Sequence, residues 1–205
     1  MNISVIVAHP KEKSFNCAVA LRAAAALKNL GHRVSYHDLY REGFDPLMSA
    51  RELGKNPKLA AAVKKHCEEI AEARGVVIVH PNWWGQPPAI LTGWIDRVLR
   101  QGVAYEFKEG DGGEGVPQGL LKIRSAVVFN TSDTPAAREK AVFGDPLENI
   151  WKKCVFDFCG VNRFVRKTYG VVVTSSKEER EEWLEDAGAT VKRVFGVVSR
   201  QSTIR

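Results

Sequence analysis

The chain has 205 residues, which is long enough for one domain with a sizeable core and gives no reason to expect two. Its 44% apolar and 26% charged residues are ordinary for a soluble globular protein. Although the net charge is +6, Lys and Arg are scattered along the chain, which favours a solvated surface that attracts anionic cofactors over a nucleic-acid site. We predict a single domain over residues 1–198 and a frayed tail over 199–205.

The cysteines and the N-terminus indicate a cytoplasmic protein. Cys17, Cys67, Cys154 and Cys159 show no CxxC spacing and no His cluster, so we predict reduced thiols and no metal site. The sequence opens on a strand rather than a basic and apolar leader, and no apolar run reaches about 18 residues. We therefore expect neither export nor insertion into a membrane.

The first half of the chain alternates apolar runs with segments of helical periodicity. Ser14 stands at an N-cap position ahead of an Ala-rich segment, and Gly31 fits the stop of that helix. The predicted elements are a strand over 3–8, a helix over 15–30, a strand over 33–38, a helix over 57–73 and a strand over 76–79, with an irregular connection over 39–48.

Residues 80–88, HPNWWGQPP, contain three prolines and a glycine, so we predict that neither strand nor helix continues through them. A helix is predicted directly after Pro88. Further on come a Gly-rich excursion over 102–119, a strand over 125–130, a turn over 131–135, a helix over 146–158 and a strand within 163–173. Ser175 and Ser176 each begin a capping-box pattern, which marks the start of the final helix.

Strands that alternate with helices predict a parallel sheet covered on both faces. The dinucleotide-binding order 3-2-1-4-5 and the flavodoxin-like order 2-1-3-4-5 are the alternatives. The loop after the first strand has no glycine to let the backbone approach a pyrophosphate, which favours the flavodoxin-like α/β fold. The GxGxxG at Gly110, Gly112 and Gly115 follows no strand, so we interpret it as a surface loop.

Three loops carry the candidate ligand chemistry. The first, at 9–16, brings polar side chains to a helix N-terminus and suits one phosphate, although Ser14 could merely cap the helix. In the second, Trp83 and Trp84 are neighbours that cannot both point into one core, so at least one should line the crevice and offer an indole to a flat heteroaromatic ligand. The third, at 130–134, would close the other side. Together they describe a flavin-shaped site.

The motifs HPKEKSFN at 9–16 and HPNWWGQPPAILTGWIDRVLRQGVAYEF at 80–107 resemble the flavodoxin-like NAD(P)H:quinone oxidoreductases, as do DLY at 38–40, FDP at 44–46 and GLL at 119–121. The resemblance covers residues 3–173, and the family includes ancillary subunits of glutathione-gated potassium efflux systems. It implies FMN or FAD as cofactor, NADH or NADPH as hydride donor, a quinone-like acceptor and a homodimer.

The implied phosphate contacts are His9, Ser14, Phe15 and Asn16. The implied ring contacts are Pro81, Asn82, Trp83, Trp84, Gly85, Asn130, Thr131, Ser132 and Asp133. The helical face Ile90, Leu91, Trp94, Ile95 and Val98 would serve packing, dimerisation or both.

The resemblance also implies a substrate-pocket role for Tyr105 across the dimer, although Tyr105 could simply anchor the Gly-rich excursion. Two departures matter. Asp133 stands in a loop that often reads Thr-Thr-Gly-Gly, and it would place negative charge near the ring unless it turns to cap the following helix. Phe143 replaces the family's His and no Tyr lies between Thr131 and Gly144, so we predict no catalytic side chain and interpret Phe143 as an apolar wall.

We therefore expect an NAD(P)H dehydrogenase (quinone) with ping-pong kinetics, in which the flavin carries hydride from NAD(P)H to the acceptor. One alternative is a flavin-bearing regulatory subunit with a membrane-transporter partner. Another is a one-electron carrier of the flavodoxin type. The basic net charge disfavours the carrier, because such carriers are usually acidic.

Overall fold

A computed structural model describes residues 1–54, 57–108, 110 and 114–196. The strands are β1 (Asn2–Val7), β2 (Arg33–Asp38), β3 (Gly75–Pro81), β4 (Tyr105–Glu106), β5 (Gln118–Gly119), β6 (Ser125–Ser132) and β7 (Phe164–Gly170). The α-helices are α1 (Phe15–Asn29), α2 (Ala61–Glu72), α3 (Ala89–Val98), α4 (Ala136–Phe143), α5 (Pro146–Asn149) and α6 (Lys177–Phe195). A 3₁₀-helix spans Ala50–Glu52 and a π-helix spans Ile150–Asp157.

The five long strands form a parallel sheet in the order β2-β1-β3-β6-β7, which confirms the predicted flavodoxin-like fold. Strands β3 and β6 are buried along their whole length and contain the apolar runs 76–79 and 126–129, as expected where helices cover both faces of a sheet. Because all five strands run the same way, the loops after β1, β3 and β6 leave the sheet at one edge. A separate antiparallel pair, β4 and β5, forms within the Gly-rich excursion.

Helices cover the sheet in two layers. The small side chains of the Ala-rich α1 let it lie close to the sheet, and α6 packs beside it on the same face. The opposite face is covered by α2, α3 and the π-helix, whose Trp94 and Trp151 are among the largest fully buried side chains. No described helix is both long and apolar enough to cross a bilayer.

The helix caps confirm the sequence patterns. The Ser14 Oγ accepts a hydrogen bond from the Cys17 N–H at 3.2 Å, and Gly31 has a φ of +76° just beyond α1. At the start of α6, Ser176 and Glu179 form the capping box, so Ser175 lies outside the helix. The predicted 57–73 helix is real but shorter, since α2 begins at Ala61.

Two predictions about secondary structure were wrong, and one helix was not predicted. Strand β3 continues through His80 to Pro81, its last residue, and Pro81 pairs with Thr131 of β6. Helix α4 was missed because none of its residues is buried, so it has no apolar stripe. The predicted 146–158 helix is α5 followed by a π-helix. The tail at 199–205 and Gly112 of the GxGxxG lie outside the described residues.

Candidate functional site

The three predicted loops meet at the carboxyl edge of the sheet. Asn16, at the start of α1, exchanges two hydrogen bonds with Thr131 at the end of β6, with distances of 2.9 and 3.2 Å. The His9 ring lies 6.1 Å from the Trp83 ring, centroid to centroid. The Asn82 N–H donates to the Thr131 carbonyl at 2.7 Å. Each loop is therefore in direct contact with the other two.

The first loop offers backbone donors at the N-terminus of α1. Within the described chain, the N–H groups of Phe15 and Asn16 have no acceptor, and they lie at the positive end of the helix dipole. Such a set of donors fits a phosphate. The Phe15 side chain packs instead against Trp183 of α6, 5.7 Å between ring centroids, so only its backbone can face a ligand.

His9 lies at the rim of this loop as a neutral imidazole. Partial burial lowers the pKa of His9 below its ordinary value of 6.5, and the positive charge of Lys11 acts in the same direction. The His9 Nδ1 lies 3.1 Å from the Lys11 nitrogen and 3.3 Å from the Lys11 carbonyl oxygen, so this side of the ring is held by the loop backbone. Its Nε2 has no partner among the described residues and can exchange a hydrogen bond with a bound group.

The second loop is a tight turn held by three hydrogen bonds within it. Trp83 and Gln86 exchange backbone hydrogen bonds, and the Asn82 Oδ1 accepts from the Gly85 N–H at 3.0 Å. Trp84, at the tip, has a φ of +58°, which is rare for a bulky residue and is a conformation that often marks a ligand site. Its indole is 98% exposed, so it has no role in the core of this chain.

Beside this turn lies a cavity of about 470 Å³, within the usual range for small-molecule sites. Its described lining is Asn82, Trp84, Gly85, Thr134, Glu139, Phe143 and Pro146. Exposed indole and phenyl faces with a few polar groups are the chemistry that a flat ring needs. The donors of the first loop and this cavity together fit a flavin. Phe143 therefore lies in the cavity wall, where its phenyl ring offers an apolar surface and no group that could relay charge.

The third loop presents its residues to different surroundings. Asn130 is fully buried under the sheet edge, and Ser132 is buried with its Oγ bonded to Thr134. Asp133 is exposed, and its carboxylate accepts a hydrogen bond from the Val173 N–H at 2.8 Å. The negative charge of Asp133 is therefore held on the β7–α6 connection rather than directed at the 470 Å³ cavity.

Tyr105 lies away from this cavity. It lines a larger one, about 730 Å³, at the far end of α3, together with Met48, Glu52, Asp96 and Arg100. Its ring packs edge-on against Phe158, 4.9 Å between centroids. Tyr105 and the 470 Å³ cavity do not meet within one chain.

A buried polar network underneath the site was missed by the sequence analysis. The Nε2 of His80 accepts hydrogen bonds from Asn130 and Trp151, both at 2.9 Å, and its Nδ1–H donates to the Pro81 carbonyl at 2.8 Å. Arg166 donates to the Asn130 Oδ1 at 2.7 Å. Full burial lowers the pKa of His80 to about 4, so the imidazole is neutral. Polar residues inside apolar strands were the available signal.

A second cluster was also missed, at the end of β2. The ligand atoms of His37, Glu42 and His66 lie within 4.8 Å of one another, close enough for a metal ion. However, the Trp94 indole N–H donates to the His66 Nδ1 at 3.1 Å, which places the His66 proton on Nε2, facing Glu42. That nitrogen then has no lone pair for a metal, and the cluster is a hydrogen-bonded core network.

Replacing Thr131 with Val should lower the free energy of unfolding by about 1–3 kcal/mol, because the buried Asn16 amide loses both of its hydrogen bonds to the hydroxyl. Urea unfolding measures the change. The matched control is Thr190→Val in α6, which is equally buried but far from the loops. Equal losses in the two variants would contradict a special role for the Asn16–Thr131 contact.

The fold and the edge site define a doubly wound α/β protein with a ligand crevice beyond its strand ends. The chain matches the family model described as flavodoxin-like fold over residues 1–193, and it belongs to that family. It is 30% identical to an uncharacterised NAD(P)H oxidoreductase of Haemophilus influenzae, over 90% of this chain and 91% of the relative. It is 27% identical to human ribosyldihydronicotinamide dehydrogenase (quinone), over 87% and 85%.

Among solved structures, the NAD(P)H:quinone oxidoreductase from Methanothermobacter marburgensis superposes with a TM-score of 0.79 at 26% identity. The match covers 94% of this chain and 96% of that one. Together with the sequence relatives, it confirms the resemblance to NAD(P)H:quinone oxidoreductases that the motifs indicated.

Proposed function

We propose that this chain is a cytoplasmic flavin-dependent NAD(P)H:quinone oxidoreductase. One observation carries the proposal: the helix N-terminus with free N–H groups meets the two loops that border the aromatic cavity, through contacts between His9 and Trp83 and between Asn16 and Thr131. The names of the relatives support the reaction class. When bound, FMN or FAD supplies the redox chemistry by accepting hydride from NADH or NADPH and passing it to the acceptor.

The residues of this chain bind the cofactor and orient the two substrates. The N–H groups of Phe15 and Asn16, with the Ser14 hydroxyl nearby, would hold the phosphate. The rigid turn from Asn82 to Gly85 would hold the ring. Trp84 and Phe143, 98% and 52% exposed, flank the space in which nicotinamide and acceptor lie in turn. One pocket that serves both substrates requires the first product to leave before the second substrate enters.

The cavity wall offers little acid–base chemistry. Among its described lining residues only Glu139 ionises, and its side chain has no hydrogen-bond or ion-pair partner in the described chain. Rate enhancement therefore comes from placing the two substrates in turn against the same ring. A carboxylate at the wall also favours neutral acceptors, such as quinones, over anionic ones.

A homodimer is part of the proposal. Tyr105 borders a cavity at the far end of α3, so it can approach a ring site only in a second copy of the chain. Light scattering coupled to size exclusion should give a mass of about twice the 22.7 kDa chain. A monomer at micromolar concentration would contradict a pocket shared across two subunits.

The experiment that tests the function is steady-state oxidation of NADH and NADPH with menadione as acceptor. Turnover by the purified chain alone, with parallel double-reciprocal lines, is the expected result. If the chain binds flavin but does not oxidise NADH or NADPH with menadione, and if it co-purifies with a membrane transporter, the regulatory subunit is favoured instead. A stable neutral semiquinone on titration would favour the one-electron carrier.

A further inference from the structure

The turn between α4 and α5 forms one wall of the 470 Å³ cavity. Phe143 and Pro146 both line the cavity, and Asp145 lies between them in sequence. Asp145 has a φ of +51°, a left-handed backbone conformation that residues other than glycine rarely adopt unless their surroundings hold it. Pro146 also lies against the second loop, because a Cβ on Gly85 would come within 3.1 Å of the Pro146 Cγ.

Asp145 is held by one guanidinium. Arg166, on the edge strand β7, donates to both Asp145 oxygens, from Nη2 at 2.7 Å and from Nη1 at 2.8 Å. Its Nη1 also reaches Glu148 at 3.1 Å. The Arg166 side chain is only 9% exposed, and a bidentate pair in such a place is geometrically specific.

The Arg166 guanidinium is in turn held by a hydrogen bond to Asn130. Its Nε donates to the Asn130 Oδ1, and the Asn130 amide is oriented by its hydrogen bond to His80. His80 can accept there because its other nitrogen keeps the proton, which it donates to the Pro81 carbonyl. Hydrogen bonds therefore run without interruption from the ends of β3 and β6 to the turn that carries Phe143 and Pro146.

We propose that Arg166 is a positioning residue that sets the affinity of the cavity for its flat acceptor by fixing the turn at Asp145. This inference rests on the proposed function for the identity of the ligand. Arg166 lines a small recess that shares Asn82, Thr134 and Glu139 with the 470 Å³ cavity, and its bonds to Asp145 connect it to the cavity wall. Arg166 does not serve as a free cation, since two carboxylates face it.

The test compares Arg166→Met with Lys167→Met. Lys167 is the next residue of the same strand, points to the opposite face and pairs with Asp186 on α6 at 3.0 Å, so its loss controls for removing a strand cation. The first readout is the dissociation constant of menadione for the oxidised protein, from tryptophan fluorescence, with Trp84→Phe identifying the Trp84 signal. The second is amide hydrogen exchange of residues 143–149. Flavin titration is the third.

Arg166→Met should bind menadione at least about tenfold more weakly, because a cavity wall that is no longer fixed in its binding conformation must be ordered when the ligand binds. Exchange at 143–149 should quicken, while the flavin dissociation constant stays within about twofold. Lys167→Met should match wild type in all three. In an Asp145→Asn background, Arg166→Met should have little further effect on menadione, because the pair acts as a unit.

The proposal is overturned if Arg166→Met and Lys167→Met bind menadione alike, if the effects of Arg166 and Asp145 simply add, or if wild type binds no menadione. Loss of flavin together with menadione would likewise reduce Arg166 to a structural residue. Failure of NADH oxidation by wild type, with the menadione and exchange differences intact, would count against the proposed reaction and leave the positioning role standing.

Discussion

Replacing Arg97 with Met is expected to lower the free energy of unfolding by about 3–5 kcal/mol, because it leaves the Glu52 carboxylate buried without a counter-ion. Arg97 and Glu52 are 3% and 2% exposed, and the guanidinium donates to both carboxylate oxygens, at 2.9 and 2.7 Å. The paired guanidinium is the main cause that lowers the pKa of Glu52, so the carboxylate is ionised at neutral pH. The loss is a large share of the 5–15 kcal/mol typical of a domain.

Urea unfolding measures this loss, with Lys122→Met as the control. Lys122 and Glu72 form an ion pair of similar length, 2.9 Å, but both are exposed, so that variant should change stability by at most about 1 kcal/mol. The double variant Arg97→Met/Glu52→Leu should recover most of the loss, because no unpaired charge remains buried. A double variant as unstable as Arg97→Met would contradict the buried-charge explanation.

Loss of Arg97 should also affect the site, because Arg97 helps to position α3. Arg97 also donates to the Asp45 carbonyl, and Gly93 lies so close to Pro46 that a Cβ would come within 2.2 Å of the Pro46 oxygen. These contacts fasten α3 to the segment after β2. Because α3 begins immediately after the aromatic turn, its position sets that of the turn.

Between pH 7 and pH 4, wild type should lose about 3 kcal/mol more unfolding free energy than His80→Gln. Burial lowers the pKa of His80 from 6.5 to about 4, so the folded protein keeps a neutral imidazole down to that pH. The unfolded chain takes up a proton below about 6.5. It therefore binds more protons than the folded state between pH 6.5 and 4, and stability falls as the pH drops through that window.

The measurement is urea unfolding at half-unit intervals of pH. His80→Gln can be less stable at every pH, since the network with Asn130 and Trp151 is disturbed, but the difference between the two pH profiles carries the prediction. Burial also lowers the pKa of His66, and this contribution is present in both proteins and cancels. Parallel profiles for wild type and His80→Gln would show that His80 titrates normally in the folded state.

The sheet could be predicted because each buried strand is a short apolar run and because parallel strands share one carboxyl edge. That geometry also brings residues as distant as Asn16 and Thr131 into contact. The apolar face of α3 could serve packing or dimerisation. Its Leu91, Trp94 and Val98 are fully buried within one chain, so packing accounts for these three. Helix α4 had no such signal, since its residues all remain accessible to solvent.

Polar residues inside apolar strands indicate a buried network beneath the site, but its partners could not be predicted, because they are distant in sequence and are not fixed by periodicity. From the sequence, Arg166 is expected to be an exposed residue of an edge strand, but in the structure it pairs with Asp145. The orientation of Asp133 toward Val173 depends in the same way on the path of a later loop. Sequence patterns placed the loops, and side-chain contacts determine which residues of each loop face the cavity.

Flavin titration tests the central claim most directly. The purified chain, freed of any bound cofactor, should quench the fluorescence of one equivalent of FMN or FAD and shift its visible absorbance, and mass analysis of the cofactor released from untreated protein should identify which one it carries. No quenching and no spectral shift with either flavin, from a chain that is folded by circular dichroism, would contradict the joining of the phosphate loop and the aromatic cavity into one flavin site.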